Sequence, residues 1–326
     1  MASPTMKDVA QEAGVSLGTV SKVMNSIPVG EEYRRKVVKA AEKLGYQVNP
    51  YARALRAGKS NCIAMIVPEV RHPFFASLVD ELTASLTKRG YWSELMTTNH
   101  DPESVQKCMS LVRQNRVDGI IALSYNPEIA IEDDFPFVSI DRYWSAKVPC
   151  VASDNYGGGV MAAERLSMLG CRNLLFLRTG SSVPGETDKR GAGFEAYCRM
   201  KNIPFRSFII TDEDAPEAFR SFLAEHYTEE GGFEFDGIFC NTDFLAVIIR
   251  EMLKKLGTRV PEDVQIIGFD GIRDYVSGSY ICSTIVQPVR QIAETAVSLL
   301  LDREKGPRPM IVNLPVVYAA GGTTKE

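Results

Sequence analysis

In this 326-residue chain, polar and aromatic side chains gather immediately after short apolar runs. Phe74 and Phe75 follow the run at 63–67, Ser124 follows 119–123, and Asp141 and Arg142 follow 137–140. Asp243 follows 237–240, Asp270 follows 264–269, and Arg190 opens a helical pattern after 174–177. An aromatic face, carboxylate acceptors and a fork of donors are what a hydroxylated ring requires. Glu186, Lys189 and Glu213 would adapt the same site to a charged compound. Taken singly, each Asp reads equally well as a loop or cap residue. Placed together at strand ends, the set reads as a ligand site.

The elements that must position these residues alternate along the body of the chain. Strand-like runs at 63–67, 92–96, 119–123, 137–140 and 151–152 are interleaved with helical patterns at 75–89 and 103–114. The theme restarts with a helix at 158–169, then runs at 174–177, 208–210, 237–239 and 264–267 between helices at 190–200, 216–226 and 245–256. Such βα alternation with continuously apolar runs predicts two open, parallel sheets with both faces covered. A run at 282–287 with a helix at 289–302, and a late strand-like stretch at 311–318, would return the chain and make both lobes discontinuous. Ligands of open α/β sheets bind beyond the carboxyl ends of their strands, where the residues above fall.

Catalytic motifs are weak by comparison. Gly157-Gly158-Gly159-Val160-Met161-Ala162 satisfies GxGxxA between a strand and a helix, but no acidic residue ends the next strand, where a ribose would need one. Tight helix entry accounts for it better. Gly191 to Ala196 fits the same pattern inside a predicted helix, which excludes a phosphate loop. No GxSxG elbow, Walker A loop or HExxH is present. The competing reading is a cytosolic sugar-processing or nucleotide-cofactor enzyme fused to a DNA-binding head. It has no positive feature in its favour, and no cofactor is expected.

Residues 6–25 write two short helices joined by a tight turn at Gly14, the form of a helix-turn-helix. Thr5 stands as N-cap before the first helix with Asp8 three residues on, and Ser16 caps the second. At helical spacing Val20, Val23 and Met24 face inward with Val9, Ala10 and Ala13, leaving Leu17, Gly18, Ser21, Lys22 and Asn25 on one outer face that fits a major groove. A third helix at 31–44 follows Gly30, with an apolar stripe of Tyr33, Val37, Ala40, Ala41 and Leu44, and stops at Gly45. Asn49-Pro50 then caps a short helical stretch from Tyr51 to Ala57, too short to be stable without a partner.

Charge follows the same division. Residues 1–60 hold ten Lys/Arg against five Asp/Glu, and the remainder holds 27 against 36, so a +5 head sits on a −9 body within the net charge of −4. Seven scattered cysteines without a CxxC pair read as reduced core residues, and three separated histidines predict no metal site. No apolar run approaches the ~20 residues of a membrane span and no signal-peptide pattern opens the chain, so a cytoplasmic protein is expected.

The stretches DVAQEAGVSLGTVSKVMN, RRKVVKAAEKLGY and NPYARALRAG together resemble the DNA-binding headpiece and hinge helix of the LacI/GalR family of bacterial transcriptional regulators. The resemblance continues through the body, which looks like the periplasmic-binding-protein fold of that family's effector domain. It implies a helical headpiece at 1–60 with its hinge helix at about 49–57, and an effector-binding and dimerisation domain at 61–326. The two doubly wound parallel-sheet lobes would comprise about 61–155 with 285–303, and 156–282 with 306–326.

By the same resemblance Leu17, Gly18 and Lys22 occupy base-reading positions, Ser16, Thr19, Ser21 and Asn25 lie near phosphates, and Leu55 is a minor-groove wedge. Thr5, Asn49, Tyr51 and Ala52 complete the expected DNA-binding set. Asp141, Arg190 and Asp270 match effector-binding positions, and Phe74 one that packs on the effector. Where relatives often place an aromatic after 208–211, this chain has Asp212-Glu213-Asp214, which favours a sugar or sugar derivative over a flat purine. The implied partners are a pseudo-palindromic double-stranded operator, a small hydroxylated effector and a second copy of the chain. Without a terminal leucine heptad, a coiled-coil tetramer is not expected.

Overall fold

A computed structural model describes residues 4–25, 27–46, 60–99, 101–114, 117–123, 135–144, 147–180, 185–211, 215–228, 230, 232–302 and 310–325. The chain divides into two units, Met1–Asn61 and Cys62–Glu326.

In the first unit, α1 (Met6–Ala13), α2 (Leu17–Met24) and α3 (Glu31–Leu44) form a three-helix cluster. The caps expected at Thr5, Ser16 and Gly45 are present, while the Asn49-Pro50 cap lies outside the described residues. Asp8 N donates to Thr5 Oγ1 while Thr5 N donates to Asp8 Oδ2 at 2.7 Å, a capping box, and Thr19 N donates to Ser16 Oγ at 3.1 Å. Gly14 and Gly45 end α1 and α3 at φ of 64° and 63°, a left-handed conformation that glycine adopts without a Cβ penalty. Val9, Ala10, Val20, Val37, Ala40 and Ala41 are buried together, with Ala13, Val23 and Met24 packed against them. Tyr33 departs from its expected place in the stripe. One turn into α3, it lies 52% exposed with the Lys36 ammonium 6.0 Å from its ring.

The second unit contains two six-stranded sheets. Its first half runs β1 (Cys62–Val67), α4 (Pro73–Lys88), β2 (Trp92–Thr97), α5 (Pro102–Arg113), β3 (Gly119–Ala122), β4 (Phe137–Ile140) and β5 (Cys150–Ser153). Its second half runs α6 (Asn155–Met168), β6 (Leu174–Thr179), α7 (Lys189–Lys201), β7 (Phe205–Ile210), α8 (Ala215–Glu225), a small hairpin of β8 (Tyr227–Thr228) and β9 (Gly232–Phe233), β10 (Gly237–Cys240), α9 (Asp243–Lys255) and β11 (Gln265–Asp270). The return elements are β12 (Ser283–Val286), α10 (Val289–Leu301), β13 (Ile311–Leu314) and β14 (Val317–Ala319).

Strand order is β13-β5-β4-β3-β1-β2 in one sheet and β14-β12-β11-β10-β6-β7 in the other, all parallel except the β12–β14 pair. Both faces of each sheet are covered, which the continuous apolar runs require. In β1, Ile63, Met65 and Val67 pack on one side with Leu78, Leu82 and Leu86 of α4 and with α10, while Ala64 and Ile66 pack on the other with Cys108 and Met109 of α5.

Three crossings join the lobes among the described residues: β5 to α6, β12 to α10, and β13 to β14. They correct two expectations. The late stretch at 311–318 is two strands, one in each sheet, because Pro315 lies between them and cannot donate to a ladder. Ile285 and Val286, expected in the first lobe, pair with Phe269 and Asp270 in the second, and the crossing begins only at Gln287.

Candidate functional site

The second helix of the helix-turn-helix, α2, presents Leu17, Gly18 and Lys22 as exposed positions, with Asn25 exposed at its C-cap and Ser21 half-buried beside them. Ser16 and Thr19 share a hydroxyl–hydroxyl bond of 2.9 Å at its N-terminus, and Asn25 Nδ2 donates to Ser21 O at 2.8 Å at its end. The polar side chains at both ends are thus tied to the helix that carries them. The hinge residues Asn49, Tyr51, Ala52 and Leu55 lie outside the described residues, as do Ser124 and Glu213 of the effector set and the acidic run at 212–214.

In the second unit the strand ends of both sheets face one cavity of about 330 Å³ between the lobes. Phe74, Phe75, Asp141 and Arg142 line it from the first lobe, Arg190 and Asp270 from the second, bringing together six of the ten expected effector residues. The cavity is walled by aromatics on one side. Phe74 and Phe75 meet edge to face at 5.7 Å, and the His72 ring stands 5.2 Å from Phe75 and 5.1 Å from Phe244, which reaches across from α9.

Arg190 is held with little freedom. Its Nε donates to Asn155 Oδ1 at 2.7 Å, Nη1 donates to Asn241 O at 2.6 Å and lies 3.6 Å from Asp270 Oδ1, and the guanidinium stacks 3.7 Å over Phe269. Asp141 Oδ1 and Asp270 Oδ2 are buried without a hydrogen-bond partner among the described residues. Burial pushes the Asp141 carboxyl up, against the pull of Arg190 and Arg142, and lifts Asp270 to about 8 against the pull of Arg190. Both aspartates also sit at positive φ, 57° for Asp141 and 133° for Asp270. A non-glycine residue held there costs about 1–3 kcal/mol and persists only when its surroundings impose it. Two strained, desolvated carboxyl groups beside a fixed guanidinium are built to exchange hydrogen bonds with hydroxyl groups, which can both donate and accept.

Two expected residues stand outside the cavity. Asp243 opens α9 just after the Thr242 N-cap, and its carboxylate turns to β11 and β12, accepting from Ile272 N at 2.7 Å and Thr284 Oγ1 at 2.5 Å. Glu186 is buried behind Asp141, with its N–H on Asp141 O at 3.1 Å and its Oε1 accepting from Lys189 at 2.7 Å. Conversely, His72, Arg178, Asn241, Phe244 and Gln287 line the cavity without having been singled out. His72-Pro73 carried a readable signal. The side chain is the N-cap of α4, its Nδ1 accepting from Phe74 N at 3.3 Å, with Pro at the first helical position.

The glycine motif also resolves. Gly157, Gly158 and Gly159 lie inside α6, where a Cβ on Gly159 would overlap the Arg190 carbonyl oxygen and one on Gly193 the Tyr156 carbonyl oxygen. These glycines let α6 and α7 touch backbone to backbone, which seats Arg190. Among the described residues no grouping of His, Cys, Asp and Glu is arranged to hold a metal ion, and no helix is long and apolar enough to cross a membrane.

A helix-turn-helix unit in one chain with a two-lobed α/β domain around a polar, aromatic-walled cavity defines a ligand-responsive DNA-binding regulator. Residues 5–49 match the bacterial regulatory proteins of the lacI family, and residues 60–301 match the periplasmic binding proteins and sugar binding domain of the LacI family. The chain belongs to the LacI family of bacterial transcriptional regulators.

It is 33% identical to the sucrose operon repressor of Pediococcus pentosaceus over 312 residues, covering 92% of each chain. To the ribose operon repressor of Bacillus subtilis (strain 168) it is 32% identical over 337 residues, covering 99% of each. A periplasmic binding protein/LacI transcriptional regulator from Alkaliphilus metalliredigens QYMF, solved with D-xylulofuranose, is 28% identical and superposes with a TM-score of 0.70, over 82% of this chain and all of that one. The lac repressor dimer bound to operator shares the fold at 22% identity and a TM-score of 0.80, over 99% of this chain and all of that one.

Proposed function

We propose that the protein acts in the cytoplasm as a homodimer on a pseudo-palindromic operator, and that a sugar or sugar derivative in the interlobe cavity controls its grip on DNA. The observation that carries the effector reading is the pair of partnerless buried oxygens, Asp141 Oδ1 and Asp270 Oδ2, beside Arg190 and the Phe74–Phe75 face. Hydroxyl groups, which both donate and accept, satisfy such oxygens in either protonation state, and the aromatic face packs on the apolar side of a sugar ring. Relatives named for sucrose and ribose operons, and a solved relative holding D-xylulofuranose, support the same class.

On the DNA side, Leu17, Gly18 and Lys22 read base edges, while Thr5, Ser16, Thr19, Ser21 and Asn25 position the helix on phosphates, with Asn49, Tyr51, Ala52 and the Leu55 wedge of the hinge completing the contact. A second copy covers exposed apolar surface on the body. The edge strand β2 presents Trp92 at 77% and Leu95 at 42% exposure, and Tyr275 and Val276 project almost entirely into solvent.

A thermal-shift panel of sucrose, D-ribose, D-xylulose and nucleobases, read beside operator binding, tests the proposal. A sugar at ~100 times its Kd adds ~2.7 kcal/mol of stability, and the same sugar must change operator affinity. Stabilisation by a nucleobase alone would overturn the effector class. A 61–326 fragment is expected to remain dimeric and to lose DNA binding; retained operator affinity would overturn the role of the head.

A further inference from the structure

Two of the interlobe crossings meet at a closed ring of buried side chains. Ser153 ends β5 in the first lobe; its Oγ donates to Gln287 Oε1 at 2.7 Å and its carbonyl accepts from Asn155 Nδ2 at 3.0 Å. Gln287, in the crossing from β12 to α10, donates through Nε2 to Asp270 Oδ1 at 2.7 Å. Asn155, in the crossing from β5 to α6, accepts from Arg190 Nε at 2.7 Å, and Arg190 closes the ring 3.6 Å from Asp270 Oδ1. None of the five residues is more than 6% exposed. Arg190, Asp270 and Gln287 border the cavity, whereas Ser153 and Asn155 do not.

We propose that Ser153, Asn155 and Gln287 are positioning residues that carry the state of Arg190 and Asp270 to the crossings, so that occupancy of the cavity sets the angle between the lobes. The proposal rests on the effector reading above. At this burial no solvent replaces a broken bond, so a ligand that draws Arg190 or Asp270 toward itself must be answered inside the ring. The side-chain amides of Asn155 and Gln287 each bond to one effector-site charge and to Ser153. A shift at either charge therefore changes a bond inside a crossing. A ligand moves an equilibrium only through unequal affinity for its two states, and a ring complete at one interlobe angle supplies that inequality.

Ser153→Ala and Gln287→Met each remove ring bonds without adding bulk, and two measurements on the full chain decide the matter. The first is amide hydrogen exchange with no sugar added. Exchange at least tenfold faster at 154–158 and 287–292, with β1 and β6 unchanged, is expected in both variants. Wild-type protection at the crossings, or a general rise that includes β1 and β6, would overturn the proposal.

The second is operator Kd with and without saturating sucrose or D-ribose, whichever raises the wild-type Tm. Ser153→Ala is expected to keep its sugar affinity within about threefold while the sugar's effect on operator Kd falls at least fivefold. Undiminished coupling would overturn the ring. Arg190→Ala is the separate control for the cavity: unchanged sugar binding there would count against the effector site itself.

Discussion

The Arg190 guanidinium lies 3.7 Å from the centroid of the Phe269 ring and also donates to two different backbone or amide oxygens, so its plane is set by stacking as much as by hydrogen bonds. A lysine ammonium is a point charge that can satisfy neither the stack nor the fork. Arg190→Lys should therefore behave like a loss, weakening sugar binding about ten- to hundredfold, the equivalent of ~1.5–3 kcal/mol for hydrogen bonds to a charged group. Calorimetric titration of the stabilising sugar checks this, and operator binding without sugar should be preserved.

Asp270 makes stability depend on pH in a stated direction. Its folded carboxyl sits at about 8 against 3.8 for the free group, so the folded state holds a proton that the unfolded state releases. The associated stability is fully present below about pH 4 and is lost as pH rises through about 8, with a slope of at most ~1.4 kcal/mol per pH unit. Asp270→Asn keeps an acceptor for Gln287 and removes the titration. Urea unfolding between pH 5 and 8 should show the wild type losing stability relative to this variant as pH rises; parallel curves would refute the assignment.

Gly159 faces the Arg190 carbonyl across the α6–α7 contact. Gly159→Ala must push the helices apart and move Arg190 with them, an overpacking change of typically ~1–3 kcal/mol. Denaturant midpoints should fall, and the sugar response should be lost with them. Gly158→Ala presses on the Phe269 ring that supports the same arginine and should act in the same direction.

In the headpiece, Thr5→Ala removes one half of the Thr5–Asp8 capping box and should cost about 1 kcal/mol of helix stability, seen as earlier melting of the DNA-free headpiece signal. Lys22→Ala is different, since an exposed side chain on α2 is removed without touching the core. It should relax base preference while leaving binding to scrambled DNA largely intact. Loss of a phosphate-contacting basic residue would instead weaken all sequences and flatten the salt dependence.

Sequence alone was sufficient wherever the deciding neighbours are a few residues away. The Thr5–Asp8 box, the left-handed stops at Gly14 and Gly45, and the apolar runs that had to be covered on both faces are local facts, and they carried the headpiece and the two parallel sheets. Asp141 and Asp270 were legible as cavity-lining residues because the end of a strand is a place that sequence marks, and Arg190 because it opens the helix that follows β6. Tertiary structure decided the rest. Gln287 bonds to Ser153 across 134 positions and to Asp270 across 17, and no periodicity announces that those amides meet.

Asp243 follows its strand as Asp270 does in the sequence, yet it is the first residue of α9 and not the last of a strand, and its carboxylate meets Thr284 instead of the cavity. Gly157 to Gly159 read as a loop motif until α7 was placed against them, and Ile285 joined the second sheet because Phe269 was its available edge. Burial patterns along a chain report how much surface each residue must hide. Which partner it hides against depends on how distant elements are oriented, and those orientations are settled only when both lobes and their crossings pack together.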